Sequence, residues 1–516
     1  MLFNSYEFLF VFLPATLAIF FLLGNHRPSL AAAFLAVASF AFYAWWDVRY
    51  VALLVASIAV NYAVGQQILR AHKARRPGLA RMLLVCGVGI DLGLLGYYKY
   101  ASFFVQNANA VLGNHWDFAA IVLPLGISFF TFTQIAFLVD VYQLKAREYN
   151  PVHYALFVTY FPHLIAGPIL HHKEMMPQFG SPHTYVPRAD NFSVGLTIFC
   201  IGLFKKVVLA DGIAPYATSP FAAAAAGDSL AFFQAWGAAL AYTLQLYLDF
   251  SGYSDMAIGI SRLFGITLPL NFNSPYKAPS IIEFWRRWHM TLSRFLRDYL
   301  YVPLGGNRKG EVRRYVNLFL TMLLGGLWHG AGWTFVVWGG LHGIYLAINH
   351  FWQSMRRRSH LPSGNSWTHT LAVATTFVAV VVGWVVFRAA NIETAFSIIA
   401  GMAGAHGIAI PDAFAVQFGA LADASARAGI VLTPGGGAVF AKTWLWIAVL
   451  LPVVFFLPNT QQLLAHFEPA LDFREEQAGR WFAWSPKASW AVVFGVAAAA
   501  SLLSLTRHSE FLYFQF

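Results

Sequence analysis

Two histidines in apolar company are the residues of this chain best suited to chemistry. His329 lies in LLGGLWHGAGW, residues 323–333, at the end of an apolar run with no acidic neighbour in sequence. Gly325, Gly326, Gly330 and Gly332 surround it. Glycine weakens a helix by about 1 kcal/mol relative to alanine, but it lets backbone or a substrate approach closely. Apolar surroundings favour the neutral imidazole, which in a dry site can accept a hydroxyl proton. Helix packing through small residues, with the histidine bonded to a backbone carbonyl, would use the same residues. His289 lies in IIEFWRRWHMTLSRFLRDYL, residues 281–300. On a helical wheel Trp285, Trp288, Leu292, Phe295 and Leu296 share one face, and Arg286, Arg287, Arg294 and Arg297 the other. That pattern predicts an amphipathic helix in an interfacial or re-entrant position rather than a span. His289 falls on its apolar side. A histidine there is often a satisfied core residue, but ionisable groups at membrane depth are costly and tend to mark function.

Other constellations are weaker. His342 lies in WGGLHG, and His163, His171 and His172 lie in FPHLIAGPILHH. No HExxH pattern accompanies them and carboxylates are few, so no metal site is expected. There is no GxSxG elbow, no P-loop and no GxGxxG after a strand. Cys86 and Cys200 lie in apolar stretches without a CxxC pattern and read as reduced packing residues.

The elements that must position these residues follow from composition. The 516 residues include 34 Lys and Arg against 23 Asp and Glu, only 11% charged, where soluble proteins have roughly 25%. Hydrophobic residues reach 58% and mean hydropathy is +0.57. A soluble domain could not hide that much apolar surface, and disorder needs low hydrophobicity. Continuous rather than alternating apolar stretches argue against a β-barrel. An all-α, polytopic membrane protein remains. The net charge of +11 suits cytoplasmic loops facing anionic lipid, not nucleic acid.

Apolar stretches near 7–24, 30–46, 50–69, 82–98, 119–142, 151–170, 193–216, 229–262, 315–331, 333–352, 368–388, 442–458 and 488–505 predict about eleven transmembrane helices. The stretch 151–170, with His153, Pro162 and His163, reads as dipping in and returning. Met1–Leu23 has no basic n-region or cleavage site and reads as a retained first span. Three Lys/Arg clusters set the orientation: Lys73 to Arg81, Arg286 to Arg314, and Arg356 to Arg358. Placed in the cytoplasm, with three spans before the first, they put the N-terminus in the periplasm. Residues 403–440, rich in Ala, Gly and Pro, read as a non-spanning loop. They separate a body over 1–402 from a final pair of spans over 441–516.

The sequence words also carry a resemblance. PLGISFFTFTQIAFLVDVY at 124–142, YFPHLIAGPI at 160–169 and YLDFSGYSDMAIGISRLFGI at 247–266 are three of them. LPLNFNSPYKAPSIIEFWRRWHMTLSRFLRDYLYVPLGGNRKG at 268–310, LLGGLWHGAGWTFVVWGGLHG at 323–343, VVFRAANIETAF at 385–396 and the terminal LYFQF follow. With WRRWH and LWHGAGW in that order, the chain resembles the membrane-bound O-acyltransferases, and among them the AlgI-type alginate O-acetyltransferases, over nearly its whole length.

The resemblance implies a helical body around a central tunnel, with re-entrant or interfacial helices and a catalytic core at about 245–345. His329 matches the family's catalytic histidine and His289 its second position. Trp285, Arg286, Asn273 and Trp328 are candidate substrate contacts. It further implies a bacterial inner-membrane enzyme with no bound cofactor and no metal. The enzyme would take an acetyl group from acetyl-CoA or another cytoplasmic thioester, and a periplasmic acetyltransferase partner would finish O-acetylation of an exopolysaccharide, alginate first. Peptidoglycan, cellulose or D-alanyl transfer by the same fold, and a non-catalytic acetyl or polymer transport subunit, stay open.

Overall fold

The computed structural model describes residues 1–116, 121–148, 150–359, 365–413, 427, 429–471, 473 and 482–506. The fold is helical, as apolar sequence requires: in lipid every backbone polar group must be satisfied within the segment. Among the described residues five helices are long and apolar enough to cross a membrane: Arg49–Lys73, Pro77–Leu112, Ala189–Ile213, Ser366–Arg388 and Gly437–Phe456. Shorter apolar helices are Phe8–Gly24, Pro28–Ala44, Ile127–Tyr142, Ile392–Met402 and Ala488–Ser504. Among the described residues the named strands are Ala409–Pro411 and Val431–Thr433, paired in parallel with Ala409 opposite Val431. Both lie within 403–440, the segment expected to be a loop. Its residues 414–426 and 428, like the terminal LYFQF, lie outside the described residues.

Phe232–Leu263 is the axis of the body. Every residue from Ala241 to Ser261 is buried, as expected of a helix surrounded by others on all faces. It packs on Ala189–Phe204, Pro215–Ala225, Ser366–Arg388, Ile392–Met402 and Gly437–Phe456. Glycine makes the first of these contacts. A Cβ on Gly202 would stand 2.6 Å from Gly252 O, and one on Gly259 would stand 2.7 Å from Gly195 O. Two glycine pairs, about two turns apart, thus bring the backbones of these helices into contact.

Charge locks the same pair of helices. Lys206 Nζ stands 2.6 Å from Asp249 Oδ1 and 2.7 Å from Asp211 Oδ1. Lys205 Nζ reaches Asp255 Oδ2 at 2.9 Å, and Asp255 also accepts from Thr460 Oγ1 at 2.6 Å and Gln461 Nε2 at 2.9 Å. Loss of one partner from such a buried set leaves an uncompensated charge, costing about 3–5 kcal/mol.

The stretch 151–170 forms two short helices, Pro151–Thr159 and Phe161–Leu164, and then runs on without helix, buried throughout 156–172. Irregular backbone at this depth must be enclosed by protein. Phe161 N donates to Ser39 Oγ at 3.2 Å, and Ile169 N donates to Thr291 Oγ1 at 3.0 Å. The second bond ties this segment to the His289 region.

Replacing Gly202 by leucine tests the glycine contact. The larger side chain forces the helices apart, with a cost of about 1–3 kcal/mol or more. Gly202→Leu is expected to lower the unfolding temperature of detergent-purified protein. Gly89→Ala, where an added Cβ meets nothing within 4 Å, should not lower it, and by helix propensity should raise it slightly.

Candidate active site

The segment 281–300 is not one amphipathic helix. Ile281–Arg287 starts with Glu283 N donating to Ser280 Oγ at 3.2 Å and ends at Trp288, which is extended (φ −99°, ψ 127°). His289 then takes left-handed geometry (φ 42°, ψ 55°) before Met290–Leu296 begins. The two-faced pattern survives the break: Trp285, Trp288, Leu292, Phe295 and Leu296 are buried, while Arg286 and Arg297 are exposed. Periodicity reads the faces of both pieces correctly but is blind to a two-residue interruption.

A left-handed histidine costs about 1–3 kcal/mol and persists only where its surroundings hold it. Asn271 does this. Its Oδ1 accepts from His289 Nδ1 at 3.0 Å and from Thr291 Oγ1 at 2.9 Å, and its main-chain oxygen accepts from Met290 N at 2.9 Å. Its Nδ2 donates to Ser254 Oγ at 3.3 Å. Because Oδ1 is the acceptor, His289 carries its proton on Nδ1, and the neutral ring keeps a lone pair on Nε2. Nε2 is buried and has no hydrogen-bond partner among the described residues.

His329 is the last residue of Glu311–His329. Its ring is half-buried and stands among Trp328 at 4.9 Å, Trp338 at 5.2 Å and Phe387 at 5.3 Å between centroids. Trp328 also lies 6.2 Å from the His289 ring. One indole therefore stands against both imidazoles. Its Nε1–H is buried and has no partner among the described residues.

Two cavities lie beside these residues. The larger, about 710 Å³, is lined by Trp285, Arg286, Met290, Arg297, Arg314 and Met322 among others. The smaller, about 160 Å³, is lined by Lys99, Ser128, Trp328 and His329 among others. Along Glu311–His329, Arg314 and Met322 face the first and Trp328 and His329 the second. At 1.5 Å per residue, Met322 and His329 are separated by roughly 10 Å along the axis. The basic space and the small space thus line successive parts of one helix; His329 lines the small one, and the residues that follow His289, Met290 and Thr291, line the basic one.

The other candidates divide. Trp285 is buried and donates through Nε1 to His342 Nδ1 at 3.2 Å. Arg286 is exposed and also lines a third cavity of about 520 Å³ with Lys277, Arg287 and His350. Asn273 Oδ1 accepts from Asn459 Nδ2 at 2.8 Å, bracing the segment before the last helix. The asparagine that meets His289, Asn271, is two residues away. Both occur in LPLNFNSPY, and nothing local separates them. The glycines near His329 serve packing more than substrate access. A Cβ on Gly326 would lie 2.3 Å from Phe335 O, and one on Gly330 would lie 2.1 Å from the Phe335 ring. His163 is satisfied by Phe157 O at 2.9 Å, and His172 lies 3.5 Å from Glu148. Among the described residues no three His, Cys, Asp or Glu side chains are grouped to hold a metal. Lys99 was not singled out from sequence, although a lysine in the apolar run LGLLGYYKYASFF is itself a signal.

Comparison with known proteins places the chain. The profile of the MBOAT, membrane-bound O-acyltransferase family, matches residues 112–390. A peptidoglycan O-acetyltransferase of Helicobacter pylori is 46% identical over 437 residues, covering 80% of this chain and 81% of that protein. A "Probable alginate O-acetylase AlgI" of Pseudomonas putida is 46% identical over 403 residues, covering 77% of this chain and 79% of that protein. A teichoic acid D-alanyltransferase of Bacillus subtilis is 28% identical, covering 51% of this chain and 68% of that protein.

Asn271→Ala should expose the dependence of the histidine on its anchor. It leaves the Nδ1–H of His289 and the hydroxyl of Thr291 unpaired, at about 1–3 kcal/mol. Both a lower unfolding temperature and an acyl-transfer rate reduced by about tenfold or more are expected. Unchanged turnover would show that the tautomer of His289 is irrelevant.

Proposed function

Because this chain belongs to the membrane-bound O-acyltransferase family, and is a multi-pass membrane O-acyltransferase, we propose that it takes an acetyl group from a cytoplasmic thioester and passes it across the membrane for O-acetylation of an exopolysaccharide. Alginate is the acceptor we put first. The observation that carries the reading is the meeting of His289 and His329 at Trp328, with Trp328 and His329 lining one small cavity.

Arg286, Arg297 and Arg314 give the larger cavity the charge to hold an anionic donor such as acetyl-CoA. No tightly bound cofactor is needed. His329 takes the proton of the acceptor hydroxyl as its oxygen bonds to the thioester carbonyl carbon. Collapse of the tetrahedral intermediate breaks the carbon–sulfur bond, and the departing thiolate takes that proton back. The single hydrogen of that hydroxyl goes to His329, so the lone pair on His289 Nε2 accepts instead from an N–H or O–H of the acetyl donor and orients the donor. A neutral His289 has no proton on Nε2 to offer a developing oxyanion. The unpaired Nε1–H of Trp328 is the donor that suits that task.

The Helicobacter relative favours peptidoglycan as a second acceptor. Cellulose and, through the more distant D-alanyltransferase, D-alanyl transfer are further alternatives. A periplasmic acetyltransferase is the proposed partner in completing polymer acetylation. The Lys/Arg clusters support a bacterial inner-membrane protein with its N-terminus in the periplasm. A cysteine at position 75 should be labelled from the cytoplasm, and labelling from the periplasm alone would reverse that orientation.

The decisive experiment uses purified protein and acetyl-CoA, following thiol release with and without oligosaccharide. His329→Ala should abolish transfer while the protein still accumulates. His329→Gln, polar but not a base, should lower the rate on the order of 10²–10⁴-fold. Near wild-type transfer by the Gln variant would remove His329 as the base. No turnover by the wild type with any thioester donor would favour a transport subunit.

A further inference from the structure

Glu311–His329 ends at the proposed reacting centre, and a helix end leaves its last four carbonyls without intrahelical donors. The chain turns away at Gly330 (φ −160°, ψ 151°). Three of those carbonyls are met from one place, distant in sequence. Tyr100 Oη donates to Leu327 O at 2.9 Å. Lys99 Nζ donates to Trp328 O at 2.6 Å and to His329 O at 3.1 Å. Its third donor reaches Ser128 Oγ at 3.4 Å.

Neighbouring residues on an α-helix point about 100° apart and do not ordinarily serve one target. Here Gly96–Tyr100 is a π-helical turn. That local widening alters the angular register of the helix, of a kind often found at functional sites. The ammonium also lies at the negative end of the helix dipole, 5.8 Å from the centroid of the Trp328 ring. With all three N–H bonds engaged, it is not a free nucleophile and has no proton left for substrate.

We infer that Lys99, assisted by Tyr100, is the positioning residue of the active site: it fixes the main chain of Trp328 and His329, and so the aim of both side chains into the small cavity. The inference rests on the reading of His329 as the base. Lys99 acts through the helix end rather than on substrate, so its removal should lower kcat and leave donor binding intact.

The test uses full-length protein in lipid nanodiscs, with acetyl-CoA as the probe. Lys99→Met is expected to lower kcat on the order of 10²-fold, the size of effect that a misplacement of about 1 Å can produce. KM should stay within about twofold, since uniform binding is untouched. Lys99→Arg, which keeps charge and donors, should recover part of the loss. Hydrogen exchange of a peptide spanning residues 323–333 gives a second readout. The amides of Gly326 to His329 should exchange faster in the Met variant and regain protection in the Arg variant. A raised KM with kcat unchanged would place Lys99 in donor binding and overturn the inference. Unchanged exchange would overturn it too, even if acetyl-CoA proves not to be a donor for the wild type, an outcome that instead defeats the proposed donor. Should Lys99→Met fail to accumulate, Lys99→Gln, which keeps an N–H donor without the charge, is read by the same criteria.

Discussion

A polar backbone interrupted inside an apolar body is the constraint on which the site depends. An unsatisfied N–H or C=O there costs several kcal/mol, yet His289 can face Trp328 only because the helix breaks at Trp288 and restarts at Met290. Asn271 resolves the conflict. One side-chain oxygen and one main-chain oxygen take up the histidine, the following amide and the Thr291 hydroxyl. Thr291 in turn accepts from Ile169 N, so the re-entrant stretch before it shares the same network. The bond that secures the break also selects the tautomer, and with it which nitrogen of His289 faces an incoming group.

A second helix end solves the same problem differently. At His329 the unmet carbonyls belong to a helix C-terminus, where a cation is favoured, and Lys99 supplies both charge and donors. The aromatic ring set of Trp328, Trp338 and Phe387 adds edge-to-face packing around the imidazole. These devices need a rigid frame. The glycine pairs between Ala189–Phe204 and Phe232–Leu263 and the buried lysine–aspartate sets beside them provide it, since neither permits sliding without a steric clash or an exposed charge. Stability and site are therefore coupled. The central helix carries Ser254, which accepts from Asn271, and Asp255, which holds Thr460 and Gln461 near the C-terminal spans.

Much of this was legible from residue order alone. Low charge and continuous apolar runs leave helices in a membrane as the solution, because only they satisfy their own backbone there. Glycines and a histidine inside apolar runs are expensive enough to mark His329 and His289 for attention, and the words around them carry the family. Hydropathy, however, sums over a window. It cannot see a two-residue break, and so the segment 281–300 reads as one helix. Nor can it rank two asparagines at alternate positions of one extended stretch: Asn273 and Asn271 differ only in which distant group each meets, Asn459 or His289.

Residue order settles the medium, the helical class and the types of residue able to move a proton. Each follows from local composition, spacing or recognisable words. What only the tertiary structure decided was which groups converge: two histidines at one indole, Asn271 setting a tautomer, and Lys99 holding a helix end from a segment far away in the chain. Those relations depend on the packing of helices distant in sequence, through glycine contacts and hydrogen-bond directions that no single stretch of residues encodes.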